Sequence, residues 1–411
     1  MEAKEMKIVI QKFGGTSVAN SEVRLKAVQK IINAKRSGFQ PVVVVSAIGR
    51  RGDPYATDTL IDYATAAHQD IHPREKDLIM SCGEIISAVV MVNTLKSKGY
   101  EARALTGAQA GIITNSQYTD ADIIEIKPDK IYKTIESGRI PIVAGFQGVT
   151  ADGEITTLGR GGSDVTAVAL GEALSAAYIE IYTDVDGIMT ADPRIVSNAS
   201  VIQHINYSDV LEMASEGAKV IHPRAIEFAM RSNIPVFIKN TLNNAPGTII
   251  SQDFSSTMPK LEDKESKRVV TSIAYITDRA QVVIQDICSE DQNLLLTKMA
   301  KNNISIDLIN IFPEKIIFTI DQKEKSKIEE ILQQCGYKYK ITENCSKVSA
   351  IGSRMRGVPG VMARIIKALS RENIQILQTA DSHTTIACLV KGEDTTKAVI
   401  ALHQEFELYK K

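Results

Sequence analysis

The sequence predicts an α/β protein: a three-layer sandwich around a mainly parallel sheet, followed by two small α+β modules. Three observations carry this. From Met6 to about Ile250, short β-branched runs alternate with longer helical stretches. The segment 253–267 is polar, charged and contains Pro259, so it reads as a linker. Beyond it, Asn303-Ile304-Ser305-Ile306-Asp307 is echoed by Asn373-Ile374-Gln375-Ile376-Leu377, which points to an internal duplication.

The elements follow in order. Lys7 to Gln11 reads as a buried strand, and Ser21 to Lys35 as a helix with Asn20 or Ser21 as its cap. Pro41 to Ser46 is a second strand. Glu84 to Lys98 reads as a helix, entered through Ser81-Cys82-Gly83-Glu84, where Glu84 favours the helix N-terminus or binds an ammonium. Glu101 to Leu105 and Ile140 to Ala144 are strands, Asp164 to Leu174 a helix, and Tyr178 to Thr183 a strand.

Counting strands in the second half predicts its topology. A first module runs through Gln281–Ile287, Gln292–Asn302, Ile304–Phe312, Lys315–Asp321, Lys323–Cys335 and Lys338–Glu343. A second runs through Lys347–Gly352, a helix from Pro359, Ile374–Ala380, Thr384–Lys391 and Thr395–Phe406, and ends one strand short. The strand-like stretch 268–276 is spare, and an unpaired sheet edge is a liability. Residues 268–276 are therefore expected to complete the second module. The predicted division is 6–252, a linker at 253–267, a module at 277–345, and a module at 268–276 plus 346–411.

Composition excludes some functions. Over 411 residues the formal net charge is −1, which argues against a nucleic-acid footprint or a polybasic membrane patch. The five cysteines form no C-x-x-C pair, so neither a disulfide framework nor a zinc site is suggested, and a reducing cytoplasm is expected. The N-terminus has no apolar core of a secretory signal. The longest unbroken apolar runs, such as Val42 to Val45, are strand-sized.

Two glycine clusters carry the chemistry. The first strand runs into Lys12-Phe13-Gly14-Gly15-Thr16-Ser17, where adjacent glycines let the backbone approach a ligand and Lys12 adds a mobile charge. Such a turn suits a triphosphate, although the Walker spacing is absent. The second is Gly159-Arg160-Gly161-Gly162-Ser163-Asp164. Arg160 offers a planar fork for a carboxylate, and Asp164 can cap the next helix or hold a lysine. Thr183-Asp184-Val185-Asp186-Gly187 follows a strand, with Ala191-Asp192-Pro193-Arg194 after it and Lys219 beside a helix break. The histidines 68, 72, 204 and 222 show no metal spacing, and surface or capping roles suit them.

KFGGTSV, SCGE, LTGAQAG, VAGFQG, TTLGRGGSD, YTDVDGIMTADPR and GAKVIHPRA, in that order, resemble the aspartokinases of the amino-acid kinase family. The resemblance spans nearly the whole chain, and its trailing modules look like a pair of ferredoxin-like ACT domains. It implies transfer of the γ-phosphoryl group of ATP to the side-chain carboxylate of L-aspartate, with Mg2+ carried mainly on the nucleotide and no metal held by the protein alone. It further implies an amino-acid effector at the ACT domains and a homodimer or higher homo-oligomer through them.

By the same resemblance, Lys12 stabilises the phosphoryl group in flight and Asp164 orients Lys12. Gly14, Gly15 and Ser46 lie at the phosphates. Glu84 meets the aspartate ammonium, Arg160 the α-carboxylate with Ser163 beside it, and Phe146 walls the substrate site. Thr183, Asp184, Arg194 and Lys219 fall on the nucleotide side, and Pro359, Gly360 and Val361 at the effector. Two departures stand out. The loop after Ser46 carries RRGDPYATD, with the substrate threonine placed at Thr57, and Met189 stands where many relatives have tyrosine. The effector stays open among lysine, threonine and diaminopimelate. A kinase for glutamate, or an amino-acid sensor without activity, are the competing readings.

Overall fold

The computed structural model describes residues 6–218, 221–252, 268–355 and 357–410. The described residues divide into two compact units: those within Met1–Ile188, Val201–Leu211 and Lys219–Pro259, and those within Met189–Ser200, Glu212–Ala218 and Lys260–Lys411. The 253–267 segment lies outside the described residues.

In the first unit the chain passes through β1 (Ile8–Phe13), α1 (Ser21–Arg36), β2 (Gln40–Val45), α2 (Thr57–Thr65), α3 (Pro73–Lys96), β3 (Ala102–Leu105), β4 (Ile112–Thr114) and β5 (Ile123–Ile126). It continues through α4 (Asp129–Glu136), β6 (Ile140–Ala144), β7 (Gln147–Val149), β8 (Ile155–Thr157), α5 (Gly162–Ala173), β9 (Tyr178–Thr183), β10 (His204–Ile205), α6 (Tyr207–Ser215), α7 (Pro223–Ser232), β11 (Val236–Asn240) and β12 (Thr248–Ile250). The last four residues of α6 belong to the second unit.

Eight strands form one sheet in the order β10-β12-β11-β9-β1-β2-β6-β3. All its pairings are parallel except β11 with β12. The central strands are buried on both faces, which is why they read as unbroken Val and Ile runs. Crossover helices cover the sheet, and one core packs Val28, Ile31 and Ile32 of α1 and Ala88, Met91 and Leu95 of α3 over Val43, Val45 and Ile142. Helix α1 is capped as predicted: the Asn20 side chain accepts from Val23 N–H at 3.0 Å.

Helix α3 differs from its sequence reading. It starts at Pro73, with the His72 ring accepting from Arg74 N–H as its cap, so Glu84 sits mid-helix rather than at the N-terminus. It is also long and apolar enough, by length and composition, to cross a membrane, which the strand-sized apolar runs did not suggest. Here it packs in the first unit's core and carries the buried carboxyls of Asp77 and Glu84. A four-stranded sheet, β5-β4-β7-β8, was also not anticipated. Strands of three or four residues are too short to show a period.

The second unit contains β13 (Ser272–Gln285), α8 (Ser289–Lys301), β14 (Ile306–Phe312), β15 (Lys315–Asp321), α9 (Lys325–Cys335), β16 (Lys338–Ile351), α10 (Val361–Arg371), β17 (Gln378–Asp381), β18 (Thr385–Lys391) and α11 (Thr395–Glu405). Its six strands run β14-β15-β13-β16-β18-β17. The spare stretch and the first module's opening strand are one long strand, β13, and the two strands flanking 344–346 are likewise one, β16. Residues Ser272–Ile276 pair with Lys347–Ile351, which pairs in turn with β18, whereas Arg279–Gln285 pairs with β15. The register shifts between the two halves, where Asp278 and Asn344 both take positive φ. Each half has its own core, one around Leu295, Phe318 and Leu332 and the other around Ile365, Cys388 and Leu402.

Candidate active site

Parallel strands deliver their following loops to one edge of a sheet, the carboxyl end, where α/β folds bind ligands. Here β1, β2, β6 and β9 do so. The end of β1 carries Lys12, and the loop after it holds Gly14 and Gly15. Lys12 Nζ lies 2.6 Å from Asp164 Oδ1 in the first turn of α5, and both side chains are largely buried. Gly14 N–H donates to Tyr182 O at the end of β9, at 3.2 Å. That amide is therefore engaged by the protein rather than free for a phosphate. Gly15 O accepts from Gly49 N–H at 3.1 Å, which brings the loops after β1 and β2 together.

The loop after β2 starts at Ser46, whose amide donates to Phe13 O, and folds back onto α3. The contact point is Gly83: a Cβ there would lie 2.8 Å from Ala47 Cβ and 2.9 Å from Tyr55 O, which explains a glycine inside a helix. Next to it, Glu84 is 3 % exposed, and Oε1 accepts from Ala47 N–H at 3.1 Å. Its Oε2 is buried without a hydrogen-bond partner. Burial pushes the carboxyl up to about 8, against the opposing pull of the Ala47 amide. A buried acceptor with nothing to accept is suited to an incoming ammonium. Thr57 opens α2, two residues beyond the Tyr55 carbonyl that rests on Gly83.

The loop after β6 places Gly145 against the Ser163 side chain, and the Phe146 ring against Gly162. Phe146 has φ 70°, a strained value for a non-glycine residue. It is held there by its N–H, which donates to Thr166 Oγ1 on α5 at 3.0 Å. Arg160 is exposed on the loop between β8 and α5. Gly161 closes that loop at φ 71° with the His222 side chain packed where a Cβ would sit.

On the β9 side, Thr183 Oγ1 donates to Asp184 Oδ1, and Arg50 in the loop after β2 donates to Asp184 Oδ2 at 2.7 Å. Arg194 belongs to the second unit, where its guanidinium forks onto Asp192 at 2.6 to 3.2 Å. Met189 is in the same segment. Lys219 lies outside the described residues. Pro359, Gly360 and Val361 open α10, with Gly360 left-handed at φ 90° and its carbonyl accepting from Arg364 N–H.

Three groups escaped the sequence reading. Arg50 lay inside the unusual loop but had no expected partner. Arg224, within the quoted GAKVIHPRA motif, donates to Leu158 O at 3.1 Å and Ala121 O at 2.9 Å, bracing the glycine loop from behind. Asp77 gave no local signal, because its partners are 42 and 80 residues away.

A parallel sheet with two glycine loops, a buried Lys–Asp pair and a free buried carboxyl oxygen at its carboxyl end marks a phosphotransferase for a small amino-bearing acid. A model of the amino acid kinase family matches residues 7–240, and an ACT domain model matches 340–404. Aspartokinase 1 of Bacillus subtilis is 46% identical over 407 residues, covering 98% of this chain and 100% of that one. The structure of E. coli aspartokinase III in complex with aspartate and ADP, in the R-state, matches with TM-score 0.76 and 26% identity, over 97% of this chain and 99% of that one. The same enzyme in complex with lysine and aspartate, in the T-state, matches with TM-score 0.74 and 25% identity over the same shares. The chain belongs to the amino acid kinase family and, within it, to the aspartokinases.

Proposed function

We propose that the protein transfers the γ-phosphoryl group of ATP to the β-carboxylate of L-aspartate, giving 4-phospho-L-aspartate and ADP, the first step toward lysine, threonine and methionine. The observation that carries this is the Lys12–Asp164 pair together with the unpartnered Glu84 Oε2, carried by segments that the Gly49–Gly15 and Ala47–Glu84 hydrogen bonds join at the carboxyl end of the sheet. Glu84 receives the substrate ammonium, Arg160 the α-carboxylate with Ser163 beside it, and Thr57 and Phe146 wall the site. An oxygen of the β-carboxylate attacks the γ-phosphorus, and the bond to the β,γ-bridging oxygen breaks. A carboxylate is already ionised at pH 7, so no general base is required. Lys12 meets the charge that develops on the transferring group, and in a largely buried site that interaction is stronger than in water.

Gly15 and Ser46 are assigned to the phosphates, and Thr183 and Asp184 to the nucleotide side. Magnesium bound with the nucleotide would supply charge neutralisation at the phosphates. Among the described residues no three His, Cys, Asp or Glu side chains are grouped to hold an ion by themselves.

The chain divides into a kinase domain at 6–252, an ACT domain at 277–345 and a second ACT domain at 268–276 plus 346–411. The pairing of Ser272–Ile276 with Lys347–Ile351 supports that division. An amino-acid end product such as lysine binds at the ACT domains, at Pro359, Gly360 and Val361. Helix α8 in the other half opens instead with Glu290 and Asp291, which disfavours a carboxylate. The ACT domains pair two subunits into a homodimer, and the enzyme works in the cytoplasm.

Trapping the acyl phosphate with hydroxylamine, with L-aspartate and L-glutamate compared at equal concentration, tests the activity. Preference for glutamate, or no ADP release with either, overturns it. Titrating lysine, threonine and diaminopimelate singly and in pairs identifies the effector.

A further inference from the structure

We infer that Asp77 is a positioning residue that fixes the reach from Glu84 to Arg160, and with it the length of the acid the site accepts. This rests on the roles proposed for those two residues. Asp77 is fully buried on α3, seven residues before Glu84. Seven residues are about two helical turns, so both carboxyls share one face of a rigid helix, roughly 10 Å apart along its axis. Three donors converge on Asp77. Thr157 Oγ1 lies 2.6 Å from Oδ1, and Thr157 N–H and Thr119 N–H lie 3.0 and 2.9 Å from Oδ2. Thr157 is the last residue of β8, three before Arg160.

The partner strand is tied to the same helix. Gln147 Nε2 in β7 donates to Ser81 O at 2.9 Å. The β7–β8 hairpin is thus anchored to α3 at two points on either side of one helical turn, and Arg224 holds Leu158 O from the far side. No Lys or Arg pairs with Asp77 among the described residues, so its burial is offset by hydrogen bonds to backbone and hydroxyl alone. An apolar residue would fill the space. Only an acceptor of this shape also clamps the strand end that launches Arg160.

The test is Asp77→Asn, which keeps volume but turns an N–H₂ toward an N–H donor. The aspartate KM is expected to rise at least about tenfold through misplacement of Arg160, with the ATP KM within about twofold. The kcat/KM preference for L-aspartate over L-glutamate is expected to fall. In the Arg160→Ala background the same change should leave the aspartate KM unaltered, because the two act through one contact. An equal rise in both backgrounds, or an equal rise in the ATP KM, overturns the proposal alone. An Arg160→Ala enzyme with normal aspartate saturation overturns the underlying role of Arg160 and this proposal with it. If Asp77→Asn fails to fold, Thr157→Val removes one donor and keeps the backbone bond. A few-fold rise in aspartate KM, absent in the Arg160→Ala background, is then expected, and an unchanged KM overturns the proposal.

Discussion

Lys12 Nζ and Asp164 Oδ1 lie 2.6 Å apart across the two glycine loops. One residue lies next to the end of the first strand and the other in the first turn of the helix that follows the second loop, 152 positions later. In the role proposed for Lys12, the Asp164 carboxylate fixes the direction of its ammonium. Asp164→Asn should therefore lower kcat by roughly 100-fold with a smaller change in either KM, since the loss falls on the transition state. Steady-state kinetics check this, and a KM effect as large as the kcat effect contradicts it.

The role proposed for Glu84 predicts a pH dependence of the reaction. The free carboxyl is raised to about 8 by burial, and the substrate ammonium binds its ionised form. The kcat/KM for aspartate should therefore rise with pH up to about 8 and flatten above it. That for ATP should not follow the same curve.

The same group makes a prediction for stability. A folded-state value raised from 4.5 to about 8 means the folded protein resists ionisation that the unfolded chain accepts. Stability from this group is full below about pH 4.5 and is lost as pH rises toward 8. Glu84→Gln removes that loss. Its Tm should match the parent near pH 5 and exceed it near pH 8, while stabilisation by added aspartate disappears. A Tm difference that does not grow with pH contradicts the burial argument.

Much of the fold was legible because the central strands are buried on both faces and so appear as continuous Val and Ile runs. Lys12, Arg160 and Asp164 were legible because glycines mark where backbone must bend or approach a neighbour. What was hidden depends on distant partners. Gly161 is left-handed against His222, and Asp77 reaches Thr157, so neither shows in its own neighbourhood. The true start of α3 was masked by Gly83, which reads as a helix breaker but is required by the crossing of Ala47 and Tyr55. The two long strands β13 and β16 were read as four, because a register shift with Asp278 and Asn344 interrupts their alternation.

Gly161 itself is testable. At φ 71° with the His222 side chain in the space of a Cβ, Gly161→Ala meets both backbone strain and a clash. A loss of about 1–3 kcal/mol in stability is expected. The aspartate KM should rise as well, because Arg160 is the preceding residue. Chemical denaturation and substrate saturation measure the two effects separately.

The second unit holds a buried cation between two acids. Lys347 on β16 is 4 % exposed, and its Nζ lies 2.6 Å from Asp307 Oδ1 and 3.1 Å from Glu216 Oε2. Glu216 follows α6 and also accepts from Ser349 Oγ, while Arg279 approaches Asp307 at 3.6 Å. Removing Lys347 leaves the largely covered Glu216 and the partly exposed Asp307 (side chains 13% and 22% exposed) without their cation, which costs about 1–3 kcal/mol. Removing all members together costs far less. Lys347→Met should therefore destabilise the second unit strongly, and adding Glu216→Gln and Asp307→Asn should restore most of the loss. The unit's own unfolding must be followed, because a chain with two units need not unfold in one step. Hydrogen exchange at the Val348 and Ala350 amides of β16 reports it: exchange should speed up in the single variant and slow again in the triple one. Additive losses across the three substitutions would show that the charges act independently and that the buried group is not a unit.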